Sequence, residues 1–186
     1  MNRRNFVKNS GLTLSALPLL PALNHFKTYK VALIGSGWWG MNILREAIAY
    51  GSCKVVALCD VDKKALEKAK SEVDKLTSDQ PKTYEDYRAL LAAEKIDIAI
   101  IGTPDHWHAL PAIAAIKAGA HLYLEKPIGH TIGEGRAILN AARKYGKTVQ
   151  VGTHRRISPH NITAMEFLHS GMVGDIHRVK CFVNYN

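Results

Sequence analysis

The chain has 186 residues, 47% of them hydrophobic and 22% charged, which suits one globular domain, or one domain plus the start of another. Its formal charge is +9, but the excess is split between the first ten residues and helical stretches such as 63–75. No basic stripe interleaved with aromatics appears, which argues against nucleic acid as a partner.

Residues 1–10 are basic and residues 11–23 are a short apolar run containing Pro18 and Pro21. That run is too short to span a bilayer, and the prolines oppose a spanning helix. It reads as a basic region followed by an apolar core of an export signal, with a frayed basic tail as the plainer alternative. Asn2-Arg3-Arg4-Asn5-Phe6-Val7-Lys8 resembles the bacterial twin-arginine signal. Residues 1–25 are therefore expected to address the protein to the periplasm. That route exports folded proteins, so a cofactor acquired in the cytoplasm can travel inside its host. No clean small-residue cleavage motif follows.

From residue 29 onward, apolar strands alternate with amphipathic helices. Residues 29–34 form a continuous apolar strand, and a helix follows to about residue 50, with Ile43, Leu44, Ala47 and Ile48 on its apolar side. Strand 54–58 and a charged helix over 63–76 come next. A helix over 84–93, a strand over 96–101 and a helix over 106–117 follow. Strand 121–124, helix 133–145 and strand 148–151 complete the series. Strands buried on both faces and alternating with helices imply an α/β fold with a doubly wound parallel sheet of Rossmann type over 28–155. Residues 156–186 are expected to begin a second α/β domain, with a strand over 178–185.

In such sheets, ligands bind at the carboxyl ends of the strands. The unusual polar residues of this chain fall there. Gly35-Ser36-Gly37-Trp38-Trp39-Gly40 is a G-x-G-x-x-G loop between strand and helix. Gly35 permits the tight turn, Gly37 lets backbone approach a diphosphate, and Gly40 allows close packing of helix on strand. Free N–H groups at the helix start then suit the diphosphate. Asp60 lies 20 positions after Gly40, at the end of the second strand, where a carboxylate accepts the ribose hydroxyls and repels a 2′-phosphate. NAD is thus expected over NADP, with Lys63 and Lys64 as the counter-argument.

Thr103-Pro104-Asp105-His106-Trp107-His108 follows the 96–101 strand. Asp105 suits a helix cap, while the histidines and tryptophan suit contacts near a nicotinamide ribose. A zinc site from His106 and His108 is not expected, because the i, i+2 spacing splays the two side chains on a helix. Cys53, Cys59 and Cys181 show no metal spacing, and Cys53 and Cys59 read as small hydrophobes. Glu125-Lys126-Pro127 closes the next strand. A part-buried lysine there would have its pKa pulled toward neutrality and help a substrate proton leave; the plain alternative is a surface Glu–Lys pair.

These segments, with Val151-Gly152-Thr153-His154-Arg155-Arg156, resemble the glucose–fructose oxidoreductase / inositol dehydrogenase / rhizopine-catabolism (Gfo/Idh/MocA) family. The resemblance runs from about Lys30 to the C-terminus. It implies a Rossmann domain followed by an α/β domain with an open antiparallel sheet, through which family members assemble as homo-oligomers. It also implies that Asp60 selects the cofactor, that Thr103, Pro104 and His108 line it, and that Glu125 touches its ribose. The glycine loop with Ser36, Trp38 and Trp39, together with Asp105 and Pro127, completes the implied cofactor contacts. Lys126 corresponds to the catalytic lysine, and Arg155 and Arg156 fall near cofactor and substrate. Asp105 stands where many members have Asn. The family's later Asp/His motif has no counterpart in these residues, so the chain is expected to be a partial member. The implied activity is hydride transfer between a nicotinamide cofactor and a sugar, cyclitol or related polyol. An NAD-dependent glycosidase of the same superfamily is the alternative, against which Lys126 argues, and a non-catalytic dinucleotide-binding module is the third reading.

Overall fold

The computed structural model describes residues 27–182. The expected export segment, 1–25, lies outside the described residues. Strands β1 (Tyr29–Ile34), β2 (Cys53–Cys59), β3 (Lys82–Tyr84), β4 (Ile98–Ile101), β5 (His121–Glu125) and β6 (Val149–Gly152) form one parallel sheet of order β3-β2-β1-β4-β5-β6. Helices α1 (Trp38–Tyr50), α2 (Lys63–Leu76), α3 (Tyr87–Ala93), α4 (Ala109–Lys117) and α5 (Ile132–Tyr145) connect them, and α6 (Pro159–His169) follows β6. The strand order reverses between β1 and β4. A crevice opens there at the carboxyl edge, as the topology of this fold requires.

Alternation along β1 divides the core in two. Val31 and Leu33 pack with Met41 and Leu44 of α1 and with Leu66, Ala69 and Val73 of α2. Ala32 and Ile34 face the opposite layer, with Leu90 of α3, Ala112, Ala115 and Ile116 of α4, and Ile138 of α5. Alanines on α4 let that helix lie close to the sheet. Local signals start the helices in register. The Asp62 carboxylate accepts the Lys64 and Ala65 N–H groups at 2.9 and 3.4 Å at the head of α2. Thr131 and Glu134 cap α5 reciprocally.

Four expectations need correction. Residues 82–84 are a strand, and the helix starts at Tyr87 rather than residue 84. Tyr84 pairs with Cys59, its carbonyl accepts the Asp60 N–H at 3.1 Å, and Asp86 then caps the helix through the Arg88 N–H at 2.8 Å. The helix expected over 106–117 is a 3₁₀ turn, Asp105–Trp107, followed by α4 from Ala109. Helix α6 was not foreseen; Pro159 in its first turn suits a helix start, and none of its residues is buried. Residues 178–182 form no strand, and 183–186 lie outside the described residues. A strand requires a ladder partner, and no described segment pairs with this one. No helix among the described residues is long and apolar enough to cross a membrane.

Candidate functional site

A cleft of about 920 Å³ runs along the carboxyl edge of the sheet. At one end lies the glycine turn. Gly35 has φ +94, and a Cβ there would lie 2.5 Å from the Thr103 nitrogen. Only glycine fits, because β4 and its loop press against the turn from behind. Gly40 is closed from the other side: a Cβ would meet the Gly35 carbonyl oxygen at 2.0 Å. Gly37 differs from both, since nothing lies within 4 Å of its Cβ position. Its openness faces the cleft, and it precedes an α1 N-terminus that has neither a side-chain cap nor an acidic residue in its first turn. Free N–H groups, a positive helix end and vacant space above glycine together fit an anionic diphosphate.

Asp60 is tied into this turn. One carboxylate oxygen accepts the Ser36 N–H at 2.7 Å and the other accepts the Asp62 N–H at 3.0 Å. The loop after β1 thereby orients the acid at the end of β2, and the carboxylate keeps spare acceptor capacity toward the cleft. Ser36 itself is buried, with its hydroxyl donating to the Cys59 carbonyl at 3.2 Å. Below it, burial first and then Asp60 and Asp86 push the Cys59 thiol up to about 12, so this cysteine stays protonated and inert. Glu85, Asp86 and Arg88 also line this end of the cleft. Sequence reasoning missed them because they follow β3, a strand too short for its periodicity to be read. Lys63 is paired with Glu85 at 3.3 Å, and Arg88 with Asp86 at 3.3 Å.

The other end is built from the loops after β4 and β5. Thr103, Pro104, Asp105, Trp107 and His108 line it together with Trp39, Glu125 and Lys126. Asp105 accepts the His106 N–H at 2.8 Å and lies 3.6 Å from His130. These contacts, the His106 backbone first, hold its carboxyl below the ordinary aspartate value. The Glu125 side chain is buried: one oxygen accepts the Lys126 N–H at 3.0 Å and the other has no hydrogen-bond partner. Gly152 of β6 makes room for it, since a Cβ there would stand 2.2 Å from that second oxygen. Burial, and then the nearby Glu125 carboxylate, push the Tyr123 hydroxyl above its ordinary value. Tyr123 shares the Glu125 face of β5, two residues before it, and the pairing of β5 with β6 brings Gly152 alongside; sequence reasoning gave neither this role.

Lys126 lines the cleft but is exposed, which corrects the expected partial burial. It stands in the loop beyond the last residue of β5, at the mouth rather than under the sheet. Trp38 is 75% exposed, whereas Trp39 turns inward and packs at 5.2 Å between ring centroids on His154. Pro127 contributes its carbonyl to His108 at 2.6 Å instead of lining the cleft. Arg155 and Arg156 sit exposed in the 3₁₀ turn His154–Ile157, outside the lining of the cleft. The Arg155 carbonyl accepts from Ser158 and Asn161 and so helps to start α6. No group of three or more His, Cys, Asp or Glu side chains among the described residues is placed to hold a metal ion.

Fold and cleft together define a dinucleotide-binding protein, and comparison with known proteins agrees. Residues 29–153 match the family model described as "Oxidoreductase family, NAD-binding Rossmann fold", and the chain belongs to this Gfo/Idh/MocA family. A glycosyl hydrolase family 109 protein of Stenotrophomonas maltophilia (strain K279a) is 30% identical over 184 residues, 95% of this chain and 40% of that protein. Inositol 2-dehydrogenase of Salmonella typhimurium (strain LT2) is 30% identical over 149 residues, 79% of this chain and 43% of that protein. Among solved structures, myo-inositol 2-dehydrogenase from Lactobacillus plantarum superposes with a TM-score of 0.72 at 28% identity, over 81% of this chain and 43% of that one. The scyllo-inositol dehydrogenase from Lactobacillus casei, solved with NAD(H) and scyllo-inositol, gives 0.70 at 26% identity, over 80% and 43%. The chain thus spans about two fifths of the length of these relatives.

Proposed function

We propose that the chain is the cofactor-binding part of an NAD-preferring oxidoreductase acting on a sugar, cyclitol or related polyol. The observation that carries this reading is the junction of the uncapped α1 N-terminus with the Asp60 carboxylate, made by the Ser36 N–H at 2.7 Å. The backbone N–H groups around Gly37 hold the diphosphate, and Asp60 accepts the adenosine ribose hydroxyls. Preference for NAD is supported by the surroundings: Asp60, Asp62, Glu85 and Asp86 all line that end, and the Lys63 and Arg88 charges are already paired. A 2′-phosphate would enter a field of like charge.

When bound, the nicotinamide would supply a hydride acceptor or donor. As a carbinol is oxidised, its hydroxyl proton would pass to Lys126 Nζ in the amine form while the hydride goes to the nicotinamide, and the ammonium so formed would return the proton to solvent at the cleft mouth. Thr103, Pro104, Asp105 and Glu125 line that end, where the family resemblance sets Glu125 toward the ribose. Arg155 and Arg156 stand outside the lining of the cleft, and a substrate role for them rests on the family resemblance alone. Relatives named as glycosyl hydrolases, one aligned over 95% of the chain, favour a second reading as an NAD-dependent glycosidase. Lys126 in the cleft favours the dehydrogenase, and cleavage of aryl glycosides without net cofactor reduction would reverse that order. Residues 1–25 are proposed to direct export, and a reporter fused to them that stays cytoplasmic when Arg3 and Arg4 are intact would refute this.

The central test is a titration of the purified chain with NAD and NADP, alongside Asp60→Ala. We expect NAD to bind more tightly than NADP and Asp60→Ala to weaken NAD by about 10- to 100-fold, the loss of one or two charge-assisted hydrogen bonds. A folded chain that binds neither nucleotide would remove the cofactor reading.

A further inference from the structure

Among the described residues His108 is the one buried histidine, with 1% of its surface exposed. Its edge lines the cleft, yet both ring nitrogens are already engaged. Nδ1 lies 2.6 Å from the Pro127 carbonyl oxygen and Nε2 lies 2.8 Å from the Thr103 carbonyl oxygen. Both partners are acceptors; a neutral imidazole donates through one nitrogen, and the doubly protonated ring through both. In either form, no ring nitrogen is left to face a ligand.

The two carbonyls belong to different walls of the cleft. Thr103 stands on the loop after β4, and Pro127 on the loop after β5, next to Lys126. Residues 126–130 have no other backbone hydrogen bond to a distant segment among the described residues. Beyond the His108 bond, Lys126 N–H is held by its neighbour Glu125, and His130 faces Asp105 at 3.6 Å across an exposed gap. The His108 ring is therefore the main tie between these walls. We infer that His108 is a positioning residue, a buried strut that fixes the backbone of the Lys126 loop against the Thr103 loop and acts on the ligand only through them. This deepens the cofactor and Lys126 reading above and replaces the direct contact that the family resemblance implied for His108.

The test compares the full 186-residue chain with His108→Ala and His108→Gln, the latter keeping an amide N–H donor group. Amide hydrogen exchange is read at the hydrogen-bonded amides of the two loops, Lys126 and residues 106–108, against residues 34–40, and NAD affinity is followed by tryptophan fluorescence. In His108→Ala, exchange at Lys126 and 106–108 is expected to rise about tenfold or more while 34–40 stays within about twofold, as for a local opening. His108→Gln should restore part of that protection. NAD affinity should fall by less than about tenfold, because the diphosphate end is untouched. Unchanged exchange at Lys126 and 106–108 in His108→Ala would overturn the proposal. So would a large loss of NAD affinity with both loops unaltered, which would mark a direct contact. Should His108→Ala fail to fold, equal loosening of these amides and of 34–40 in His108→Gln would equally overturn it. If the wild-type chain binds no nucleotide yet the exchange change stays local, the strut stands and the cofactor reading falls.

Discussion

The two ends of the cleft are built by different means. The end at Gly35–Gly40 is made of backbone: a left-handed turn, a helix start and one carboxylate 20 residues on, all within a single β-α-β unit. The end at Thr103–His108 and Glu125–Pro127 is made of side chains that reach across strands: His108 to the Pro127 carbonyl, and Glu125 against Gly152. A backbone site tolerates little variation in glycine but much in its neighbours, which is how Trp38 and Trp39 fit within the turn. A side-chain site depends on partners far apart in the chain. Its parts should fail together, whereas the parts of the first end should fail one at a time.

Substitutions at three glycines sharpen this contrast, in order of their effect on stability. Gly40→Val drives a Cβ to within 2.0 Å of the Gly35 carbonyl oxygen, in the rigid seam between α1 and β1. We expect a loss of about 3 kcal/mol or more in denaturant unfolding, with the turn distorted and nucleotide binding gone. Gly152→Ala sets a methyl 2.2 Å from the second Glu125 oxygen, which must swing away. A loss of about 1–3 kcal/mol is expected, with faster exchange of the Lys126 amide, which the Glu125 carboxylate holds, and an unaltered glycine turn. Should the turn loosen equally, the two ends are one cooperative unit and the contrast fails. Gly37→Ala is the smallest in stability, since φ −67 and ψ 179 suit alanine and nothing lies within 4 Å. Its unfolding midpoint should correspond to a change within about 0.5 kcal/mol. Calorimetric NAD affinity should nevertheless fall on the order of 100-fold, because the methyl fills the space a diphosphate would take.

Legibility in the sequence followed the same division. The glycine loop and Asp60 were readable because their spacing lies inside one local unit, and the parallel sheet followed from apolar runs alternating with helical periods. Strand β3 escaped because three residues, two of them exposed, carry no detectable period, and with it went Glu85, Asp86 and Arg88. Helix α6 escaped because its apolar residues Ile162, Met165, Phe167 and Leu168 trace no buried face. The expected strand beyond residue 178 was read as the start of the second domain that the family resemblance implies, and no described segment supplies its ladder partner.

From its sequence alone, the protein was determined to be a doubly wound α/β fold with a dinucleotide fingerprint and a lysine just after the apolar strand at 121–124. Those properties depend on side-chain period and on the steric freedom of glycine, both of which act over short stretches of chain. Tertiary structure alone decided that Lys126 stands exposed at the cleft mouth, that the His108 ring lies between two carbonyls, and that Glu125 is housed by Gly152. The last two join segments far apart in the chain, two loops at His108 and two strands at Glu125, and only the packing of the finished sheet brings them together.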